Sequence, residues 1–129
     1  MNESNTVGCV AEAVATMFLA WNGVDESTMG REAARALTPD VEFVDPDFDI
    51  RGIDSFVAMV AAFRKAHPRA APGLAGAIDT HHDLARYRWA VELADGTRLT
   101  GSDVVRIDAS CRIRRIESFV DPTADAAGR

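Results

Sequence analysis

The sequence predicts an α+β fold, with three N-terminal helices packed on a curved antiparallel sheet. Three observations carry this. Apolar residues recur at helical spacing through the first half of the chain, from Val7 to Phe63. From about Leu74 the pattern alternates with a period of two, as half-buried strands do. The two patterns are segregated along the chain, and helices followed by hairpin-linked strands put the helices on one face of the sheet.

Residues 1–6, MNESNT, are polar and are expected to fray. Val7, Val10, Val14, Met17, Phe18 and Trp21 then form one apolar helical face, which Asn22-Gly23 ends. Ser27 can cap a second, shorter helix with Met29, Ala33, Ala36 and Leu37 inward, and Thr38-Pro39 stops it. A strand follows from about Val41 to Asp45, ended by Pro46. Asp54 or Ser55 can cap a third helix, whose apolar positions are Phe56, Val57, Val60 and Phe63. His67-Pro68 closes it, and "PRAAPG" links it to the strands.

In "LARYRWAVEL", Tyr87, Trp89, Val91 and Leu93 share one face, with Arg86, Arg88 and Glu92 on the other. Asp95-Gly96 is a strong hairpin signal. "TRLTGSDVVRID" alternates again, Asp108 to Cys111 make a second turn, and "RIRRIESFV" is the last strand. The length suits one domain over 1–129, with a core from about 7 to 121 and a loose tail at 122–129.

The formal net charge of −6 argues against nucleic acid and against an anionic membrane surface as partners. No stretch nears the roughly 18 apolar residues of a membrane span, and no signal peptide is visible. Cys9 and Cys111 fit two inert thiols in a reducing cytoplasm; a disulfide between them stays open. Thirteen arginines against one lysine, with abundant alanine, suggest a GC-rich bacterial genome.

The stretch "VEFVDPDFDIRG", residues 41–52, runs from an apolar strand into a cluster of acids. Strand alternation sorts them. Asp45 shares a face with Val41 and Phe43, whereas Asp47, Asp49 and Asp54 read as loop or capping residues. Asp103 likewise stands in the apolar row of Leu99, Gly101, Val105 and Ile107. A carboxyl in such a row needs a partner or a raised pKa, and such positions are candidate functional sites. Two plainer readings remain: Asp45 caps the turn after it, and Asp103 pairs with Arg88 or Arg115. His81 and His82 are adjacent on a strand and point to opposite faces, which disfavours a shared metal ion. One of them, His82 in the working assignment, is expected at the mouth of a pocket.

The three helical segments, "F-x-x-W-N" at Phe18–Asn22, "V-x-F-x-D-P" into "R-G" at 41–52, "H-H-D-x-A-R-Y-R-W" at 81–89, "D-G…G-x-D-V-V-R-I" and the closing "R-I-x-x-I-x-x-F" resemble the SnoaL-like branch of the NTF2-like superfamily. The resemblance covers about residues 7 to 121. It implies a cone of helices and sheet around an apolar pocket, a homodimer formed through the sheet, and no cofactor. Phe18, Trp21, Phe56, Phe63, His82, Trp89 and Phe119 are the expected pocket-lining residues. In ketosteroid isomerase of this superfamily, aspartates matching Asp45 and Asp103 serve as proton shuttle and as neutral hydrogen-bond donor to an enolate oxygen; the two-carboxyl pattern is a familiar one. The resemblance therefore makes Asp45 and Asp103 the candidate catalytic pair. The isomerase's helix tyrosine has no counterpart, since Met17 and Phe18 occupy that turn; the Trp21 indole is a possible substitute. Epoxide hydrolase chemistry fits less well, because Ala90 follows Arg88 where an acid is needed and Ser118 fills the last-strand position. The polyketide cyclases also use an acid near that position. The expected function is cofactor-free proton transfer on an apolar, carbonyl-bearing molecule; the alternative is a non-catalytic ligand-binding or dimerisation module.

Overall fold

A computed structural model describes residues 3–122. Three helices come first: α1 (Glu3–Trp21), α2 (Glu26–Ala36) and α3 (Ile53–Ala66). Seven strands make one sheet: β1 (Leu37–Val44), β2 (Asp49–Arg51), β3 (Gly73–Leu74), β4 (Asp79–His81), β5 (Leu84–Glu92), β6 (Arg98–Ile107) and β7 (Ile113–Val120). The path across the sheet is β2-β1-β7-β6-β5-β3, with β4 also paired to β5. The sheet is mixed: β1 lies parallel to β7 and every other pair is antiparallel. The expectation of a purely antiparallel sheet is corrected at that one pair. The long path from β1 through α3 and the β5–β6 hairpin brings β7 back beside β1 in the same direction.

The helices cover the concave face. α1 buries Val10, Ala13, Val14, Met17 and Ala20, three and four residues apart as a single helical stripe requires. α2 adds Met29, Ala33 and Ala36; α3 adds Phe56, Met59 and Val60. Against them stand the inward rows of the strands, among them Val41, Phe43, Ala85, Tyr87, Val105 and Ile116. No described helix is long and apolar enough to cross a membrane.

Several boundaries differ from expectation, each for a local reason. Asp25, not Ser27, caps α2: its carboxylate accepts the Thr28 N–H at 2.7 Å. Neither Asp54 nor Ser55 caps α3, which starts at Ile53 behind Gly52 with no side-chain cap. β1 begins at Leu37, and Pro39 within it coincides with a break in register against β7, where a missing N–H is tolerated. The acidic loop folds back as the short strand β2. The expected loose tail at 122–129 lies outside the described residues except for Pro122.

Cys9 on α1 and Cys111, in the turn between β6 and β7, form a disulfide with a Cα–Cα separation of 5.7 Å. The expectation of two inert thiols is overturned, and with it the cysteine-based argument for a reducing compartment.

Candidate active site

The inward row of the sheet sets the site. Across the three central strands, Tyr87 on β5 stands opposite Asp103 on β6, and Asp103 stands opposite Ser118 on β7. Asp103 is 5% exposed. The Tyr87 hydroxyl donates to its Oδ2 at 2.7 Å. Its Oδ1 and the Trp89 indole Nε1 are both buried and meet no partner at full hydrogen-bond geometry, although the Trp89 N–H and the Ser118 hydroxyl lie close enough to act on the carboxyl. Burial pushes the Asp103 carboxyl above the ordinary aspartate range. Hydrogen-bonding groups of Ser118, Tyr87 and Trp89 oppose that shift, and the negative charge of Asp45 adds to it. Tyr87 is driven well above the usual phenol range, first by burial and then by the adjacent Asp103 carboxyl, so its hydroxyl stays a donor.

Asp103 makes no ion pair with either arginine named for it. Arg88 points to the other face, where it pairs with Asp121 and donates to the Ser102 hydroxyl. Arg115 is held by Glu117 at 2.9 Å and Glu42 at 3.3 Å. The parity of the strands accounts for this: 88 and 115 belong to outward rows, 103 to an inward one.

The inward row opens into a cavity of about 400 Å³. Phe18 and Trp21 of α1 and Met59, Ala62 and Phe63 of α3 form its helical wall. Trp89, Val91, Leu99 and Val120 form its sheet wall, and Asp103 and Ser118 are polar points within it. Asp45, Asp47 and Phe48 supply the rim from the end of β1. Among the described residues lining it there is no lysine or arginine. Such a surface favours an apolar, uncharged guest over an anion.

Asp45 does two things at once. Its Oδ1 accepts the N–H groups of Asp47 (2.8 Å) and Phe48 (2.7 Å), which caps the turn after β1. It is also half-buried and lines the cavity with Asp103. Asp47, expected to be a plain loop residue, is exposed at the rim; Asp49 and Asp54 are exposed and not part of the lining.

Of the residues expected to line a pocket, Phe18, Trp21, Phe63 and Trp89 are brought together around the cavity. Three are not. Phe56 is wholly buried, packed edge-on against Trp21 of α1 and Phe43 of β1, and does not reach the cavity surface. Phe119 is 61% exposed on the outer face, since the inward parity of β7 is Ile116, Ser118 and Val120. His82 sits exposed in the tight turn between β4 and β5 with φ 53°, at the opposite end of β5 from Trp89 and Val91. Its Nδ1 meets that of His81 at 3.1 Å. Among the described residues no group of three or more His, Cys, Asp or Glu is arranged to hold a metal ion.

Sequence reasoning missed Tyr87 as the partner of Asp103, and it missed His67. His67 lines the cavity at the end of α3, its ring 5.2 Å from Phe63 and its Nδ1 buried without a partner. Its only sequence signal was the helix-closing His-Pro pair.

The sequence matches no protein-family model and no curated protein. Solved structures do match. A candidate isomerase of the SnoaL-like family from Agrobacterium tumefaciens is 28% identical, with a TM-score of 0.78 over 91% of this chain and 98% of that one. An NTF2-like protein of unknown function from an Exiguobacterium species is 24% identical, with a TM-score of 0.68 over 88% and 99%. A candidate SnoaL-like polyketide cyclase from a Jannaschia species is 13% identical, with a TM-score of 0.77 over 94% and 91%. The architecture and its neighbours define the class: this is an NTF2-like cone. Within that class the chain has the SnoaL-like form of the fold.

Proposed function

We propose that the protein binds an apolar, carbonyl-bearing small molecule in its cone and moves a proton on it without a cofactor. The observation that carries this reading is a buried carboxyl, Asp103, with one oxygen short of a full hydrogen bond on the wall of an apolar cavity whose rim holds a second carboxyl. In the proposed reaction Asp45 takes a proton from the carbon beside the carbonyl. The C–H electron pair moves into the new enolate, and the negative charge collects on oxygen. Asp103, whose protonated form burial favours, donates a hydrogen bond to that oxygen. Return of the proton from Asp45 to another carbon completes an isomerisation; cyclisation and dehydration use the same first step.

The second reading is a binding module without chemistry. It is favoured by Asp45, whose Oδ1 is already engaged by two backbone N–H groups. Exchange of the α-hydrogens of 2-tetralone in deuterated water, followed by NMR, separates the two. The catalytic reading expects exchange above the buffer rate, reduced by about 10²- to 10⁴-fold in Asp45→Asn. Binding of the ketone with exchange at the buffer rate leaves only the module. We further propose that two copies dock through the outer face of the sheet, where Phe119 is exposed. Light scattering from a monomer at micromolar concentration would remove that part.

A further inference from the structure

Adjacent histidines face opposite ways only while both lie in a strand. His81 ends β4 and pairs with Leu84 at the start of β5. His82 and Asp83 make the whole of the turn between them. Of those two, only His82 has positive φ, at 53°. A two-residue hairpin turn with positive φ at its first position is the type II′ pattern, where glycine is the ordinary residue. This chain places a histidine there. The turn brings the His82 ring round to the side of His81, and the two Nδ1 atoms come within 3.1 Å with the rings at 86° to each other.

The neighbouring acids are engaged elsewhere. Asp79 is held by Arg86 at 3.0 Å, and Asp83 by Arg106 and Arg114 at 3.6 Å each. The two imidazoles therefore meet each other and not a carboxylate. With no other occupant, one Nδ1 must carry a proton and the other must be bare, which takes opposite tautomers of two exposed rings. A divalent cation replaces that proton and asks the same of both rings, a bare Nδ1. With metal–nitrogen bonds of about 2.0–2.1 Å, two nitrogens 3.1 Å apart subtend about 95–102° at the metal. That angle lies between the right angle of square-planar coordination and the tetrahedral angle, the geometries of Cu²⁺ and Zn²⁺.

We propose that His81 Nδ1 and His82 Nδ1 form a two-histidine chelate for a late first-row divalent cation, Cu²⁺ before Ni²⁺ or Zn²⁺. The order is the general preference of nitrogen donor sites. Because arginines hold both nearby acids, the protein supplies two ligands and water the others, which makes the ion exchangeable. The site lies at the far end of β5 from Trp89 and Val91, apart from the cavity and its chemistry. The bound ion fastens the β4–β5 turn by joining the last residue of the strand to the first residue of the turn.

The test follows the imidazole proton resonances of the three histidines by NMR as Zn²⁺ is added. Those of His81 and His82 should shift together, and those of His67 should stay in place. Cu²⁺ should displace Zn²⁺ from the pair. His82→Gly is the most direct variant, because glycine suits the positive φ and the turn keeps its shape. It should weaken Zn²⁺ binding at His81 by about tenfold or more while the melting temperature holds or rises. His81→Ala should weaken binding at His82 in the same way. If neither ring responds to about 1 mM Zn²⁺, or the His81 response survives His82→Gly unchanged, the pair is a hydrogen bond only and the metal site is wrong.

Discussion

Tyr87 and Asp103 carry the account at the scale of single residues. The hydroxyl of one and Oδ2 of the other meet in a setting where neither reaches water. Replacing Tyr87 by Phe leaves Oδ2 buried and unpaired, at a cost of about 1–3 kcal/mol in urea unfolding. It also removes a bond that holds the Asp103 carboxyl down, so the Asp103 pKa should rise further. A Tyr87→Phe variant with unchanged stability and an unchanged Asp103 titration would show that the bond is not formed in solution. Asp103 itself was legible in the sequence, because a lone aspartate in the row Leu99, Gly101, Val105 and Ile107 has no bland outward reading. Its partner was not. Taken as the two central residues of a tight turn, Asp95-Gly96 would place Tyr87 opposite Val104. The turn instead holds three residues, with the Leu93 N–H bonded to the Thr97 carbonyl and Gly96 at φ 87°. That extra residue moves the register by one and brings Tyr87 to Asp103.

At the scale of elements, parity and packing decide what the helices and strands present. The inward row of β6 followed directly from alternation. On β7 alternation was not applied, and Phe119 was misplaced because aromatic character suggested a pocket while its position puts it beside Glu117 on the outer row. The irregularity between Arg106 and Ile107 near the β6–β7 turn hides that parity from simple counting. α3 shows the corresponding limit for helices: its apolar residues form a face wide enough to serve both core and cavity. Phe56 and Val60 fill the first, Met59 and Phe63 reach the second. The disulfide joins two elements 102 residues apart, a separation no local pattern can reveal. It ties α1 to the turn that sets the β6–β7 register. Cys111→Ser, or reduction of the wild type, should lower stability by roughly 2–4 kcal/mol. Equal melting temperatures with and without reductant would argue that the tie contributes nothing.

For the whole molecule, the relevant property is how the cone's stability depends on pH. Asp103 has a folded-state pKa above its ordinary value of 3.8, so between those two values the folded protein holds more protons than the unfolded chain. Its contribution is fully present below the unfolded value and is lost as pH rises through the folded one. The wild type should therefore lose stability relative to Asp103→Asn over that window, as read from urea midpoints at a series of pH values. Parallel profiles for the two proteins would mean that Asp103 titrates alike in both states. The architecture as a whole was the most legible part of the sequence, since segregated helical and alternating patterns admit few arrangements. The mixed sheet was less so, because the β1–β7 pair joins strands from opposite ends of the chain and depends on where α3 sends the backbone.

The central claim is that Asp103 is a buried carboxyl whose protonated form is favoured and which faces a ligand's oxygen, and a carboxyl-carbon NMR titration of Asp103 tests it most directly. The account predicts a midpoint clearly above the ordinary 3.8, moving higher still when 2-tetralone is bound. A midpoint at or below that value, unmoved by the ketone, would contradict it.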